Sequence, residues 1–317
     1  MAKRLILSAA TSIASALTLC IVSFPARPQQ PSEPLVVAEH AAGVFTHTGA
    51  LALMTRENAG GIANVGFVIG NDSVAVIDTG GSAREGRRLL AAIRARTGKP
   101  IRYVISTHGH PDHIFGHAAF ENEGAVFVGH RNLPRALAMR GQFYLDAYRR
   151  SMGGELMADV KIIPPTQLVA DEVKLDLGGR LLAIRAWPTA HTDNDVTVLD
   201  EDSGTLFAGD LVVTKHVPVL DGSILGWLAV MDELGQIPAK HVLPGHGPPV
   251  DDWQAALANQ RRYLERLTND VRAMISRGAT LAVAARTAGL AEKDRWSLFE
   301  EYNGRNATAA FAELEWE

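Results

Sequence analysis

The segment His108-Gly109-His110-Pro111-Asp112-His113 gathers the residue types that hold a metal ion. Four of the chain's eleven histidines fall between residues 108 and 117. Imidazole and carboxylate are ordinary ligands of Zn²⁺. Two histidines separated by one residue reach the same ion when the turn between them is tight, and Gly109 and Pro111 provide such a turn. Asp112 and His113 would then face a second ion beside the first. The chemistry this allows is hydrolysis by metal-activated water, because a bound ion brings the pKa of water from about 15.7 to about 7. Buried imidazoles without a metal would each need other hydrogen-bond partners, which a run this dense does not readily find.

A motif of this kind must be carried by rigid elements, and the flanking sequence supplies them. Residues 101–106 are apolar and β-branched and read as a buried strand running straight into the motif. Loops at strand ends are where rigid scaffolds place chemistry. Upstream, 43–50, 62–70 and 73–79 read as strands, the last two joined by the Asn71-Asp72 turn. Ser82, with Glu85 three residues on, opens a helix striped by Leu89, Leu90 and Ile93. Residues 133–150 read as an exposed helix. The second half offers strands at 173–177, 181–187, 195–200, 205–208 and 241–243. From Val250 the pattern is helical to the end, with one long helix to about Ser276. Strands in two groups, each followed by helices, predict an α/β four-layer αββα sandwich, with helices outside and two sheets inside.

The chain has 317 residues, a formal charge of -4 and no long basic run. That argues against nucleic acid as a partner, since phosphate binding needs clustered Lys and Arg. The N-terminus runs from positive (Lys3, Arg4) to apolar (5–24) to a Pro/Gln-rich stretch (25–34), the order of a secretory signal. The expected organisation is a signal or anchor at 1–26, a linker at 27–42 and one hydrolase domain at 43–317. The expected location is periplasmic or secreted, with membrane attachment only if the apolar run is retained. Loss of residues 1–26 removes Lys3 and Arg4 and takes the charge to -6. Cys20 is the only cysteine and lies in that segment, so the mature chain has no thiol ligand, thiol nucleophile or disulfide.

Residues 108–113 resemble the His-x-His-x-Asp-His signature of the metallo-β-lactamase superfamily in full. The resemblance extends to three later pieces in the family's order: His191 in PTAHTDND, Asp210 in LFAGDLV and His246 in LPGHGPP. It implies two zinc ions per chain. His108, His110 and His191 would hold the first; Asp112, His113 and His246 the second; Asp210 would bridge them. Asp112 would also orient the nucleophile and accept its proton. Asp78, in VIDTG, resembles a family carboxylate that supports the metal loop. Ala190 stands where the family often has Gly before the third histidine.

Within the family, His110 argues against the diiron members, which carry Glu there, and Asp210 leans towards the glyoxalase II-like ligand set. Two further stretches, VGHRNLPRALAMRG and KHVPVLDGSILGWLAVMDEL, resemble exported zinc metallohydrolases of quinoprotein and SoxH-type systems. The implied activity is hydrolysis of an ester, thioester or amide-type small molecule. The alternatives are an iron-dependent persulfide-type dioxygenase and a non-catalytic metal-binding accessory of a periplasmic oxidation system. Lys215 and His216, following Asp210, are expected to meet an anionic group, and Trp227 to form an apolar wall. His117, His130, His40, His47 and His241 are read as structural or surface residues. Trp296, Phe299, Tyr302 and Phe311 would either pack in the outer helical layer or form a homodimer interface.

Overall fold

The computed structural model describes residues 33–317. The expected export segment, 1–26, and residues 27–32 of the expected linker lie outside those residues. The chain lays down β1 (Ala38–Ala41), β2 (Val44–His47), β3 (Val65–Ile69), β4 (Val74–Ile77), α1 (Ala83–Arg94) and β5 (Ile101–Ile105). There follow α2 (Pro111–Ile114), β6 (Val126–His130), α3 (Leu133–Met152), α4 (Gly154–Met157) and β7 (Gln167–Val169). The second half comprises β8 (Glu172–Asp176), β9 (Leu181–Ala186), β10 (Val196–Asp200), β11 (Thr205–Val213), α5 (Ile224–Leu234) and β12 (His241–His246). It closes with α6 (Trp253–Ser276), α7 (Leu281–Thr287) and α8 (Phe299–Leu314).

The strands form two sheets, ordered β1-β2-β3-β4-β5-β6-β7 and β12-β11-β10-β9-β8. The first is antiparallel as far as β4 and parallel from β4 to β7. The second is antiparallel except where β12 runs parallel to β11. Their inner faces meet through Val68, Ile77 and Ile105 on one side and Ile184, Val198 and Phe207 on the other. The outer face of the first sheet packs on α1 through Phe67, Val76, Leu89 and Ile93. The outer face of the second is covered by α5, α6 and α8 through Leu206, Ala208, Val230 and Leu264. This is the expected four-layer α/β sandwich. Among the described residues, no helix is long and apolar enough to cross a membrane.

Some boundaries differ from the sequence expectation, each for a physical reason. β1 lies within the span read as linker, and Leu35 is already buried, its amide donating to the Arg88 carbonyl. β1 is a half-exposed edge strand, so it lacks the apolar alternation that marks its neighbours. The strand expected from residue 62 starts at Val65. Just before it, Asn64 crosses to the other sheet, its Nδ2 donating to the carbonyls of Pro244 and Gly247 at 2.7 Å each. β11 continues past Ala208 to Val213, with a register shift at Gly209, whose φ is +53°. Trp296, Phe299 and Phe311 are buried within this chain's own helical layer, so the packing reading holds for them.

One side chain ties the two sheets together at the end remote from the motif. Arg180 donates from Nε and Nη2 to both oxygens of the fully buried Asp200, at 2.8 and 2.6 Å. Its Nη1 donates to the carbonyls of Ala42 and Ile69. Arg180→Ala leaves the Asp200 charge buried without its cation, and the expected loss of unfolding free energy is about 3 kcal/mol, at the low end for a broken buried pair. Urea denaturation checks this; a change below about 1 kcal/mol would place the pair with exposed ion pairs instead.

Candidate metal centre

The motif begins three residues past the end of β5 and rests on Asp78, which follows β4 in the left-handed region at φ 56°. Asp is one of the few residues that takes this conformation readily. Its placement lets one carboxylate organise the whole loop. Asp78 Oδ1 accepts from the Thr107 amide, and Oδ2 accepts from the Thr107 hydroxyl and the His113 ring, all at 2.8 Å. Pro111 starts α2 at a position where a missing N–H costs nothing, and that turn carries Asp112 and His113 inward. Two glycines give the bridging carboxylate its space. A Cβ on Gly209 would meet Thr107 at 2.7 Å, and one on Gly245 would lie 1.8 Å from Asp210 Oδ1.

Seven side chains converge as two groups, His108/His110/His191/Asp210 and Asp112/His113/His246. Their outward hydrogen bonds fix every imidazole. His191 Nδ1 donates to the Val219 carbonyl at 2.6 Å and His246 Nδ1 to the Ile62 carbonyl at 3.0 Å. His113 Nδ1 donates to Asp78. His108 Nδ1 donates to the Thr107 hydroxyl oxygen at 3.1 Å, whose own proton goes to Asp78. His110 is turned the other way: its Nε2 faces Asp221 Oδ2 at 3.1 Å, and a carboxylate can only accept. In the neutral tautomers each ring then points a lone pair inward.

Those lone pairs face one another and two carboxylates. His110 Nδ1 lies 3.1 Å from His108 Nε2 and 3.0 Å from His191 Nε2, near the edge of about 3.3 Å in a tetrahedral zinc site. Asp210 Oδ2 lies 3.5 Å from His191 Nε2 and 3.4 Å from His246 Nε2, while Oδ1 lies 3.3 Å from His113 Nε2. Among the described residues, the buried His113 Nε2 and Asp210 Oδ1 have no hydrogen-bond partner. Converging acceptors with orphaned atoms are what bound divalent metal satisfies, so the residues fit the metal that the donor set implies.

The electrostatics agree. Burial holds His108 well below its ordinary pKa and takes His191 down to about 4, so both are neutral ligands at physiological pH. Burial opposes charge on His113 and His246 too, but the carboxylates outweigh it. Asp210, Asp78 and Asp112 hold His113 well above its usual range, and Asp210 and Asp112 raise His246 to about 10. Asp210 is the converse: burial pushes it up, yet His246 and His113 bring it well below the carboxylate range. The second group therefore demands positive charge, from protons or from an ion.

The metal-facing atoms open into a cleft of about 890 Å³. His216 lines it, stacked on His246 at a ring separation of 4.8 Å. Lys215 does not: it is exposed and faces a separate surface depression beside Asn259 and Arg295. The backbone reverses at Lys215, φ 64°, sending its side chain away from His216. Trp227 is not a substrate wall either. It is fully buried, its Nε1 donates to the Leu211 carbonyl, and its ring packs against His191 at 5.3 Å. His117 and His130 stand outside both groups, held by Ser106 and by the Asn132 amide.

Several cleft residues escape the sequence reading. Arg140, Tyr144 and Tyr148 line one wall from α3, which is thus not merely a solvated helix. Their four-residue spacing, placing them on one helical face, is the signal that could have revealed them. Tyr302 and Arg305 come from α8. Burial raises the Tyr302 pKa to about 12, with Asp112 adding to it, so the phenol stays protonated and able to donate.

Fold and site together define an αββα sandwich with a buried histidine–carboxylate metal site at its sheet ends, and the match to known proteins agrees. The family model of the metallo-beta-lactamase superfamily matches residues 58–252, and the chain belongs to that superfamily. Among curated relatives, it is 26% identical over 213 residues to the linear primary-alkylsulfatase of Pseudomonas sp. (strain ATCC 19151), covering 56% of this chain and 40% of that one. The chain's match thus spans well under half the length of that relative. It is 22% identical over 243 residues to the probable metallo-hydrolase YqjP of Bacillus subtilis, covering 66% of this chain and 75% of that one. Among solved structures, it is similar in fold to the sec-alkylsulfatase Pisa1 from Pseudomonas sp., with a TM-score of 0.69, 17% identity and coverage of 88% and 50%. It is likewise similar to a metallo-beta-lactamase from Pontibacter korlensis, with a TM-score of 0.59, 23% identity and coverage of 73% and 99%.

Proposed function

We propose that the protein is a dinuclear zinc hydrolase that cleaves an ester, thioester or amide-type small molecule after export to the periplasm. The carrying observation is the set of five imidazoles whose outer nitrogens are engaged and whose inner lone pairs converge with Asp112 and Asp210 in two groups. His108, His110 and His191 would hold one ion, Asp112, His113 and His246 the other, and Asp210 both. The ions, when bound, supply a water acidic enough to be deprotonated near neutral pH and polarise the substrate oxygen.

The chain's own residues do the rest. Asp112 Oδ2 faces His246 Nε2 at 3.2 Å, which leaves Oδ1 to accept the hydrogen of the attacking water. His113 and His246 keep Asp112 ionised against the effect of its burial. The Tyr302 hydroxyl is a donor for the departing oxygen. Leu53, Met139 and Phe143 form an apolar rim on the same cleft, partly exposed and placed to hold an apolar substituent.

A second reading, hydrolysis of a sulfate ester, is favoured by Arg140 and Arg305 standing beside that apolar rim, an arrangement suited to an anionic amphiphile. Two similar proteins are named as alkylsulfatases. The resemblance to SoxH-type and quinoprotein-associated hydrolases supports a role in periplasmic oxidation of small molecules, and the signal-like order of residues 1–34 supports the location.

The test is metal mass spectrometry on protein purified without chelator, followed by a panel of thioesters, lactones, β-lactams and alkyl sulfates. The expected result is near two zinc ions per chain and turnover of one class. One iron per chain with oxygen consumption on persulfides would replace the hydrolase reading with the dioxygenase one. Bound metal with no turnover across the panel would favour an accessory protein.

A further inference from the structure

Asp221 is absent from the sequence motif, yet it meets two of the three histidines of the first group. Its Oδ2 lies 3.1 Å from His110 Nε2. Its backbone amide donates to the His191 carbonyl at 3.0 Å. Two residues earlier in the same loop, the Val219 carbonyl accepts from His191 Nδ1. His110 is also the one ring of the five that turns Nδ1, not Nε2, towards its neighbours. A ring in that orientation needs its proton on Nε2, and an acceptor placed there selects that tautomer.

The loop carrying Asp221 is itself held from outside the region that the family model matches. Asn306, fully buried on α8, donates from Nδ2 to the Pro218 carbonyl and accepts from the Leu220 amide. Glu313, also on α8, accepts from the Ser223 hydroxyl and the Ile224 amide. The family match ends at residue 252 and α8 begins at Phe299. On the cleft side, the Arg140 guanidinium pairs with the same Asp221 oxygen.

We infer that Asp221 is a positioning residue for the first metal group: its carboxylate locks His110 with Nδ1 free to bind, and its amide braces His191. This rests on the two-ion reading of the site. The expectation is specific to one ion. Loss of the acceptor frees the His110 ring to rotate or change tautomer, while Asp112, His113 and His246 keep their own partners. Second-layer partners of metal-bound histidine are worth roughly 10- to 100-fold in metal affinity.

The test withdraws zinc from the metal-loaded chain with a chelator of known affinity, for wild type, Asp221→Ala, Asp221→Asn and Arg140→Ala, with a thermal melt of each metal-free form. In Asp221→Ala, one ion of the two should be held roughly 10- to 100-fold more weakly, with the second unchanged. Asp221→Asn keeps an acceptor oxygen and should recover most of the affinity, and Arg140→Ala, which leaves the carboxylate in place, should stay within about threefold of wild type. Melts of the metal-free forms should agree, which a general loss of structure would not allow. Wild-type affinity for both ions in Asp221→Ala, or equal losses in the Ala and Asn variants, would overturn the inference while leaving the two-ion reading intact. Wild-type protein that fails to hold two ions would overturn both.

Discussion

Asp210→Ala should abolish the proposed two-ion centre rather than weaken it. Among the described residues, Asp210 is the only side chain whose oxygens approach the inner nitrogens of both groups, His191 and His108 on one side and His113 and His246 on the other. Removing it leaves the inner nitrogens of His108 and His191 without a carboxylate and those of His113 and His246 with Asp112 alone. The expected outcome is a fall from two bound ions to one or none, and a loss of turnover of about 10³-fold or more, equivalent to at least about 4 kcal/mol of barrier. Asp210→Asn keeps the shape and removes the charge, so it should resemble the alanine variant in metal content. The measurement is metal per chain by mass spectrometry beside kcat/KM. Retention of two ions with wild-type turnover would remove Asp210 from the centre.

The largest stability effect is expected at Trp227. Its side chain is wholly buried beneath the second sheet, in contact with the ring of His191 and donating to the Leu211 carbonyl. Trp227→Ala should cost about 3–5 kcal/mol through the cavity and the lost contacts. That is a large share of the 5–15 kcal/mol typical of a folded domain. The Leu211 carbonyl keeps a second donor, Gln260 Nε2 at 2.8 Å, so the loss is mainly one of packing. Urea denaturation gives the cost, and kinetics locate its origin. A packing residue lowers stability and the affinity for the ion beside His191, with little change in KM. A substrate wall, the role suggested by sequence position alone, would raise KM with stability intact.

These two residues show where the sequence is readable. The histidines and Asp112 are legible because metal chemistry restricts ligand types and the turn restricts their spacing. His191, Asp210 and His246 are legible only as an ordered set, because each alone is a common residue at a strand end. Nearness to Asp210 in the chain points Trp227 and Lys215 towards the cleft, but a strand followed by a reversal of the backbone sends neighbours to opposite sides. Asp221 leaves no local mark: its partners are His110 and Arg140, 111 and 81 positions away. The α3 wall could have been found, since Arg140, Tyr144 and Tyr148 recur at helical spacing. The layered fold is the most legible feature, because burial on both faces of a sheet imposes apolar runs wherever the strand is interior. β1 fails that condition as an exposed edge strand and was read as linker.

The hold of α8 on the loop that carries Asp221 has a consequence for assembly. Asn306 and Glu313 belong to α8, so the pocket for the proposed first ion depends on a helix that lies nearly two hundred positions beyond the ligand motif in the chain. A chain whose α8 is not yet docked has the ligand motif but not the brace that aims it. Acquisition of the proposed ion should thus follow docking of α8, and metal content then reports on that closure as well as on the ligands.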